Sequence, residues 1–227
     1  MENKFLVPSS IVLAGVVIAG AIVYTRLPHI PLPPSDAGVA SPRLEGASLD
    51  ILKVRKDDFV LGNPAAPVIA VEYGDFQCPF CARFFTTTES QLRETYVKEG
   101  KVAFVWRDFA FLGEESMRAA EAARCAGEQG KFWEYHDILF LRQAGENEGA
   151  FNDTALAGFA KEIGLTKDTF AACMSSKKYR QKITASAQEG KALGVSGTPT
   201  TFVNGQLING AVLFDTFKNA IEQELKN

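Results

Sequence analysis

Residues 68–73 (VIAVEY) form an unbroken run of apolar positions with one acid, closed by turn-forming Gly74 and Asp75, and such a run predicts a buried strand. From Cys78 the period changes. Phe80, Phe84, Phe85, Thr88, Leu92 and Tyr96 recur at spacings of one, three and four, which predicts a helix that Gly100 ends. A second strand pattern follows at once over 102–107 (VAFVWR). Strand, helix and adjoining strand in that order predict a right-handed βαβ unit with parallel strands.

Between residues 114 and 193 the periodic stretches are helical. They are ESMRAAEAARCAGEQ, KFWEYHDILFL with an aromatic face, NDTALAGFAKEIG opened by a capping aspartate or threonine, TKDTFAACMSS and KKYRQKITASAQEGKALG. Strand signals return in TPTTFVNGQLING, where 200–203 and 206–208 flank Asn204 and Gly205, a dipeptide suited to a two-residue hairpin turn. The last segment places Phe214, Phe217, Ile221 and Leu225 on one helical face. The pattern predicts an α/β domain over 56–227 with a helical insertion at about 112–193.

The N-terminal region follows a different pattern. No charged side chain lies between Lys4 and Arg26, and residues 5–24 are long enough to cross a hydrocarbon core at about 1.5 Å per residue. Residues 1–27 are therefore expected to be an N-terminal transmembrane helix kept as an anchor. A cleaved signal peptide is the alternative, with 11–18 as its apolar region and Ala19, Gly20 and Ala21 as the cleavage site. Ile22, Val23 and Tyr24 continue the apolar run past that site and favour the anchor. Residues 28–55, opening with PHIPLPPSDAGVASPRLEGAS, read as an extended proline-rich linker. Either way the domain is expected on the far side of a membrane.

Composition narrows the chemistry. With 46% hydrophobic residues in 227, the chain can bury one sizeable core. A formal net charge of -3 provides no broad basic surface, which argues against nucleic acid as a partner. The chain has four cysteines, and Cys78 and Cys81 stand two residues apart where strand gives way to helix. A structural zinc site would need two more cysteine or histidine ligands. Cys125 and Cys173 are isolated in sequence, His29 is in the linker and only His136 remains, so no metal site is expected. A purely structural bridge over two intervening residues closes too small a loop to stabilise much. A redox dithiol fits the position better. At the helix start, unsatisfied N–H groups and the positive end of the helix dipole favour the Cys78 thiolate. Pro79 suits the first helical turn, and Cys81, one turn on, is placed to resolve a mixed disulfide.

Strand alternation puts Glu72 on one face with Val68 and Ala70, where a buried carboxyl would hold its proton and could exchange it with a thiol; a strand-end glutamate reaching solvent is the other reading. Pro199 starts a strand, and most X-Pro bonds are trans. Cys125 and Cys173 are either two buried thiols or, in an oxidising compartment, a disulfide. The aromatic box around His136 has helical spacing and reads as core.

Three stretches, GDFQCPFC after a strand, AAEAARCAGEQGKFWEYHDILF, and GTPTTFVNG before the last hairpin, resemble the DsbA-like thiol-disulfide oxidoreductases of the thioredoxin superfamily over roughly residues 56–225. That resemblance implies a thioredoxin-like fold with an inserted helical domain and no cofactor. It implies Cys78 as nucleophile, Cys81 as resolving cysteine and Glu72 as the family's buried acid. It also implies a cis Pro199 facing the cysteines, Thr198 offering backbone bonds to an extended substrate, and Pro79 and Phe80 at the substrate surface. Some members have a second bridge, as Cys125 and Cys173 would supply. The best-known strong oxidants of the family have histidine before the second cysteine. Phe80 stands there in this chain, which predicts a milder oxidant.

The expected function is that of an extracytoplasmic, monomeric disulfide donor for unfolded or extended proteins, recycled by a membrane redox partner. A membrane-anchored reductase or isomerase, and a non-catalytic peptide-binding module, are the competing readings.

Overall fold

The structure is a computed structural model describing residues 43–226. The transmembrane helix expected over 1–27 lies outside the described residues, as does the first part of the linker. Among the described residues no helix is long and apolar enough to cross a membrane.

The elements run α1 (Ala47–Ile51), β1 (Phe59–Leu61), β2 (Val68–Gly74), a helix α2 over residues 79–97, β3 (Val102–Asp108), α3 (Glu114–Gly127), α4 (Phe132–Leu141), α5 (Asp153–Glu162), α6 (Lys167–Ser176), α7 (Arg180–Ala192), β4 (Thr200–Val203), β5 (Gln206–Asn209) and α8 (Phe214–Glu224). The sheet order is β1-β3-β2-β4-β5. β2 pairs in parallel with β3, placing Glu72 beside Trp106, and antiparallel with β4, placing Glu72 beside Thr201. β1 adds antiparallel to the outer edge of β3. Three residues are too few for a periodic signal, so this edge strand has no counterpart in the sequence pattern.

One face of the sheet carries Val68, Ala70, Phe104 and Val203 and packs on Phe84, Leu92, Phe217 and Ile221 from α2 and α8. Each such side chain, fully buried, contributes roughly 1.5–3 kcal/mol. The opposite face carries Val71, Tyr73, Val105 and Phe202, covered by Leu193, Val195 and Leu52. Arg107 is buried there, bound by Asp58, Glu189 and the carbonyls of Ile51 and Lys53.

Those carbonyls belong to a stretch read as linker. Residues 43–55 are instead docked on the domain: Arg43 bridges Gln206, Leu44 N donates to Gly205 O at 3.0 Å, and Arg55 pairs with Glu189. The physical reason is the buried Arg107 guanidinium, whose remaining N–H groups, beyond those taken by Asp58 and Glu189, find the Ile51 and Lys53 carbonyls of this arm. Helix α5 also differs in detail. Its cap is Asn152, whose side chain accepts from Ala155 N, rather than an aspartate or threonine.

α2 is not uniform. Pro79–Phe84 and Ser90–Leu92 are α-helical, whereas Phe85–Glu89 and Arg93–Val97 make π turns. A π turn rotates each residue less than an α turn, which offsets the drift of a row at four-residue spacing. Cys81, Phe85, Glu89 and Arg93 make up such a row. Glu89 is fully buried, whereas Phe80, expected at the substrate surface, is 53% exposed.

Candidate active site

The site is built where β2 ends. Asp75 organises the turn: its Oδ1 accepts from Gln77 N and Ser116 Oγ, its Oδ2 from Phe111 N and Leu112 N, and its carbonyl from Cys78 N. Burial pushes the Asp75 carboxyl up, against the pull of these donors. Gln77 is tied to Ser116 and Asn147, and Gln143 Nε2 donates to the carbonyls of Phe76 and Cys78 at 2.6 and 3.2 Å. The helical block therefore grips the redox turn from above. Gly74 is required by close approach, since a Cβ there would stand 2.3 Å from the Trp106 ring.

Cys78 is the N-cap of α2, extended at φ -69° and ψ 120°, with Pro79 next. Its Sγ lies 3.3 Å from the carbonyl oxygen of Thr198, and the Thr198–Pro199 bond is cis. The Cys78 thiol is pulled down to about 6. A hydrogen bond from Cys81 is the main cause, helped by the backbone N–H groups of Cys81 and Phe80, while burial opposes. Cys81 is wholly buried and its thiol is pushed well up, first by burial, then by its bond to Cys78 and by the nearby Glu72 charge. One pair of identical side chains is thus split into an easily ionised sulfur and one that holds its proton.

Glu72 is fully buried, and neither carboxyl oxygen has a hydrogen-bond partner among the described residues. Burial pushes it well above the usual carboxylate range, and the Glu89 and Cys78 charges push in the same direction. Glu72, Cys78, Cys81, Thr198 and Pro199 meet at one place. Pro79 and Phe80 lie exposed beside it, with Arg83 over the Phe80 ring. Cys125 and Cys173 form a disulfide between α3 and α6, inside the helical block. Among the described residues no cluster of acidic, histidine or cysteine side chains could hold a metal. A cavity of about 580 Å³ between α5 and α6, lined by Leu165, Phe170 and Met174, contains none of the redox residues.

Asp75, read as turn-forming, does organise the turn; sequence reasoning missed Gln143 and Gln77, whose roles come from loop geometry, and Glu89, whose charge disguised an inward position. The four-residue spacing from Cys81 through Phe85 was the available signal.

Residues 55–223 match the family described as thioredoxin. A Bacillus cereus protein named "Probable disulfide bond formation protein D" is 34% identical over 170 residues, covering 73% of this chain and 78% of that protein. The crystal structure of BdbD from Bacillus subtilis, 26% identical, superposes with a TM-score of 0.72 over 78% of this chain and 97% of that one. A thioredoxin-like oxidoreductase from Silicibacter pomeroyi, 30% identical, gives 0.68 over 78% and 98%. With the family matched over most of its length and a paired dithiol at the helix start, this chain belongs to the DsbA-like thiol-disulfide oxidoreductases of the thioredoxin superfamily.

Proposed function

We propose that the protein donates disulfides to unfolded or extended proteins outside the cytoplasm, through a mixed disulfide at Cys78. The observation that carries this is the division between the two sulfurs: Cys78 ionises readily and Cys81 does not. In the oxidised protein a substrate thiolate attacks Cys78 Sγ, and the Cys81 sulfur leaves with the bonding pair and takes a proton from Glu72. A second substrate thiolate then attacks the substrate sulfur of the mixed disulfide, and Cys78 departs as a thiolate. Two electrons have passed from two substrate thiols to the dithiol. Of the two substrate protons, one refills Glu72, whose own proton now sits on Cys81, and the other goes to water.

A stabilised Cys78 thiolate favours the reduced enzyme, which is what an oxidant needs. The relative's name, a disulfide bond formation protein, supports the same direction. The Cys125–Cys173 bridge supports an oxidising compartment. The Thr198 carbonyl beside Cys78 suits backbone pairing with an extended substrate, which would cross the exposed Pro79 and Phe80, while the cis Pro199 is buried behind that carbonyl. A membrane redox partner would reoxidise the dithiol, and the N-terminal apolar segment would hold the monomer near it. Alkylation trapping in intact cells tests the direction. Cys78 and Cys81 found mainly disulfide-bonded support a donor, and the pair found mainly as thiols refutes it in favour of a reductase or isomerase.

A further inference from the structure

Behind the cysteines lies a second set of buried ionisable groups. Glu89 is wholly buried on α2; its Oε1 accepts from Arg93 Nε at 2.8 Å, and its Oε2 has no partner among the described residues. Arg93 also donates to both oxygens of Asp137, each at 2.8 Å. His136 is wholly buried, with Nδ1 2.9 Å from Asp137 Oδ1 and Nε2 unpartnered among the described residues. Its ring is enclosed by Trp106, Phe140, Trp133, Phe76 and Phe85, with centroids 4.9–5.8 Å away. Trp106 is the residue beside Glu72 in the sheet, so this cage adjoins the buried acid of the redox site.

Charge counting shows what the cluster must do. Facing it are Glu72 from β2, Cys78 at the cap of α2, Cys81, Glu89 and Arg93 from α2, and His136 and Asp137 from α4. β4 offers the uncharged Thr201. Through Trp106 Nε1 the cluster also reaches Asp108 on β3, which is paired with Arg124 of α3. With Asp108 and Arg124 balanced, and the His136 ring taken up by Asp137 at 2.9 Å, the three carboxyls Glu72, Glu89 and Asp137 share the guanidinium of Arg93 and the imidazole of His136. That guanidinium is already engaged by Glu89 and Asp137. Glu72 has no hydrogen-bond partner among the described residues, so ionising it beside an ionised Glu89 carries a large desolvation cost. Burial and mutual repulsion accordingly push Glu72 well up, and burial raises Glu89 against the pull of His136 and Arg93.

We propose that Glu72 and Glu89 form a pair holding one proton behind the dithiol, with Glu89 the positioning residue that sets how readily Glu72 exchanges a proton with Cys81. The proposal rests on Glu72 being the proton partner of Cys81 and adds the residue that tunes it. When Cys81 attacks a mixed disulfide at Cys78, its proton passes to the Glu72 carboxylate, its sulfur bonds to Cys78 Sγ, and the captured thiolate leaves with the bonding pair. The pair then relaxes by redistributing or releasing that proton. Removing the Glu89 charge leaves Arg93 free to favour ionised Glu72, so the base becomes available at lower pH.

Stopped-flow reaction of the reduced protein with 5,5′-dithiobis(2-nitrobenzoic acid) separates the steps. The first released thionitrobenzoate reports attack by Cys78, and the second reports resolution by Cys81. In Glu89→Gln the pH midpoint of the second phase should fall by about 1 unit relative to that of the first. In Glu72→Gln the second phase should slow about tenfold or more at neutral pH and its midpoint should rise. A Glu89→Gln second phase that superimposes on wild type while Glu72→Gln is slowed overturns the pair and leaves the Glu72 role standing. An unchanged second phase in Glu72→Gln overturns both. If Glu89→Gln does not fold, carboxyl NMR titration of the wild-type protein decides, with shifts assigned by Glu72→Gln. Coupled two-step curves for Glu72 and Glu89 support the pair, and two independent single-step curves overturn it.

Discussion

Lowering the Cys78 ionisation to about 6 fixes how the reduction potential should depend on pH. Below that value, two-electron reduction of the Cys78–Cys81 disulfide takes up two protons, so the potential should fall by about 59 mV per pH unit. Above it Cys78 stays ionised, one proton is taken up, and the slope should halve to about 30 mV per unit. The sign follows from the direction of the shift. A thiol depressed in the folded protein stabilises the reduced form above its own ionisation, and that gain is lost as pH falls through about 6. At pH 7, relative to a thiol near 8.5, the gain is about 1.4 kcal/mol, a factor of about ten in the equilibrium with glutathione, or about 30 mV. Redox titration against glutathione between pH 4.5 and 8, read by intrinsic tryptophan fluorescence and repeated in Glu72→Gln to remove the second buried acid, would measure it. A single slope of about 59 mV per unit across that range, with no break near 6, would refute the reasoning.

Three further outcomes are expected. Removing the Cys125–Cys173 bridge by a double alanine substitution frees a loop with a sequence separation of 48. That should cost about 4 kcal/mol in denaturant unfolding and lower Tm by about 10 °C, and a loss under about 1 kcal/mol would show that the bridge constrains little. Phe80→His places a donor beside the Cys78 sulfur in the thiolate state. Against glutathione it should become more oxidising by about 30 to 60 mV, the value of one charge-assisted hydrogen bond, and an unchanged or lower potential would contradict the role given to position 80. Gly74→Ala would push a methyl into the Trp106 ring; chemical unfolding should show a loss of about 1–3 kcal/mol, and a neutral variant would mean the ring can yield.

The redox turn was legible in the sequence because its parts obey local rules: a buried run ending at Gly74, a proline at the first helical position, cysteines one turn apart. The parallel β2–β3 pair and the Asn204–Gly205 hairpin were legible for the same reason. What stayed hidden depends on tertiary partners. β1 is three residues long and exists because the β3 edge offers a ladder. The arm at 43–55 looks like linker until the buried Arg107 calls for its carbonyls. Glu89 has the sequence character of a surface acid, and only the π turns and its bond to Arg93 bring it inside. Phe80 keeps the apolar spacing yet faces out, because the first turn of α2 ends at the surface where a substrate would pass.

In this mechanism Cys78 captures and Cys81 releases. Cys81→Ser and Cys78→Ser should each be incubated, fully reduced, with oxidised glutathione at pH 7 and the adducts mapped by mass spectrometry. The first variant should carry a stable glutathione adduct on Cys78, and the second little or none on the wholly buried Cys81. Equal adduct formation on both sulfurs, or a Cys78 adduct that disappears without Cys81, would contradict it.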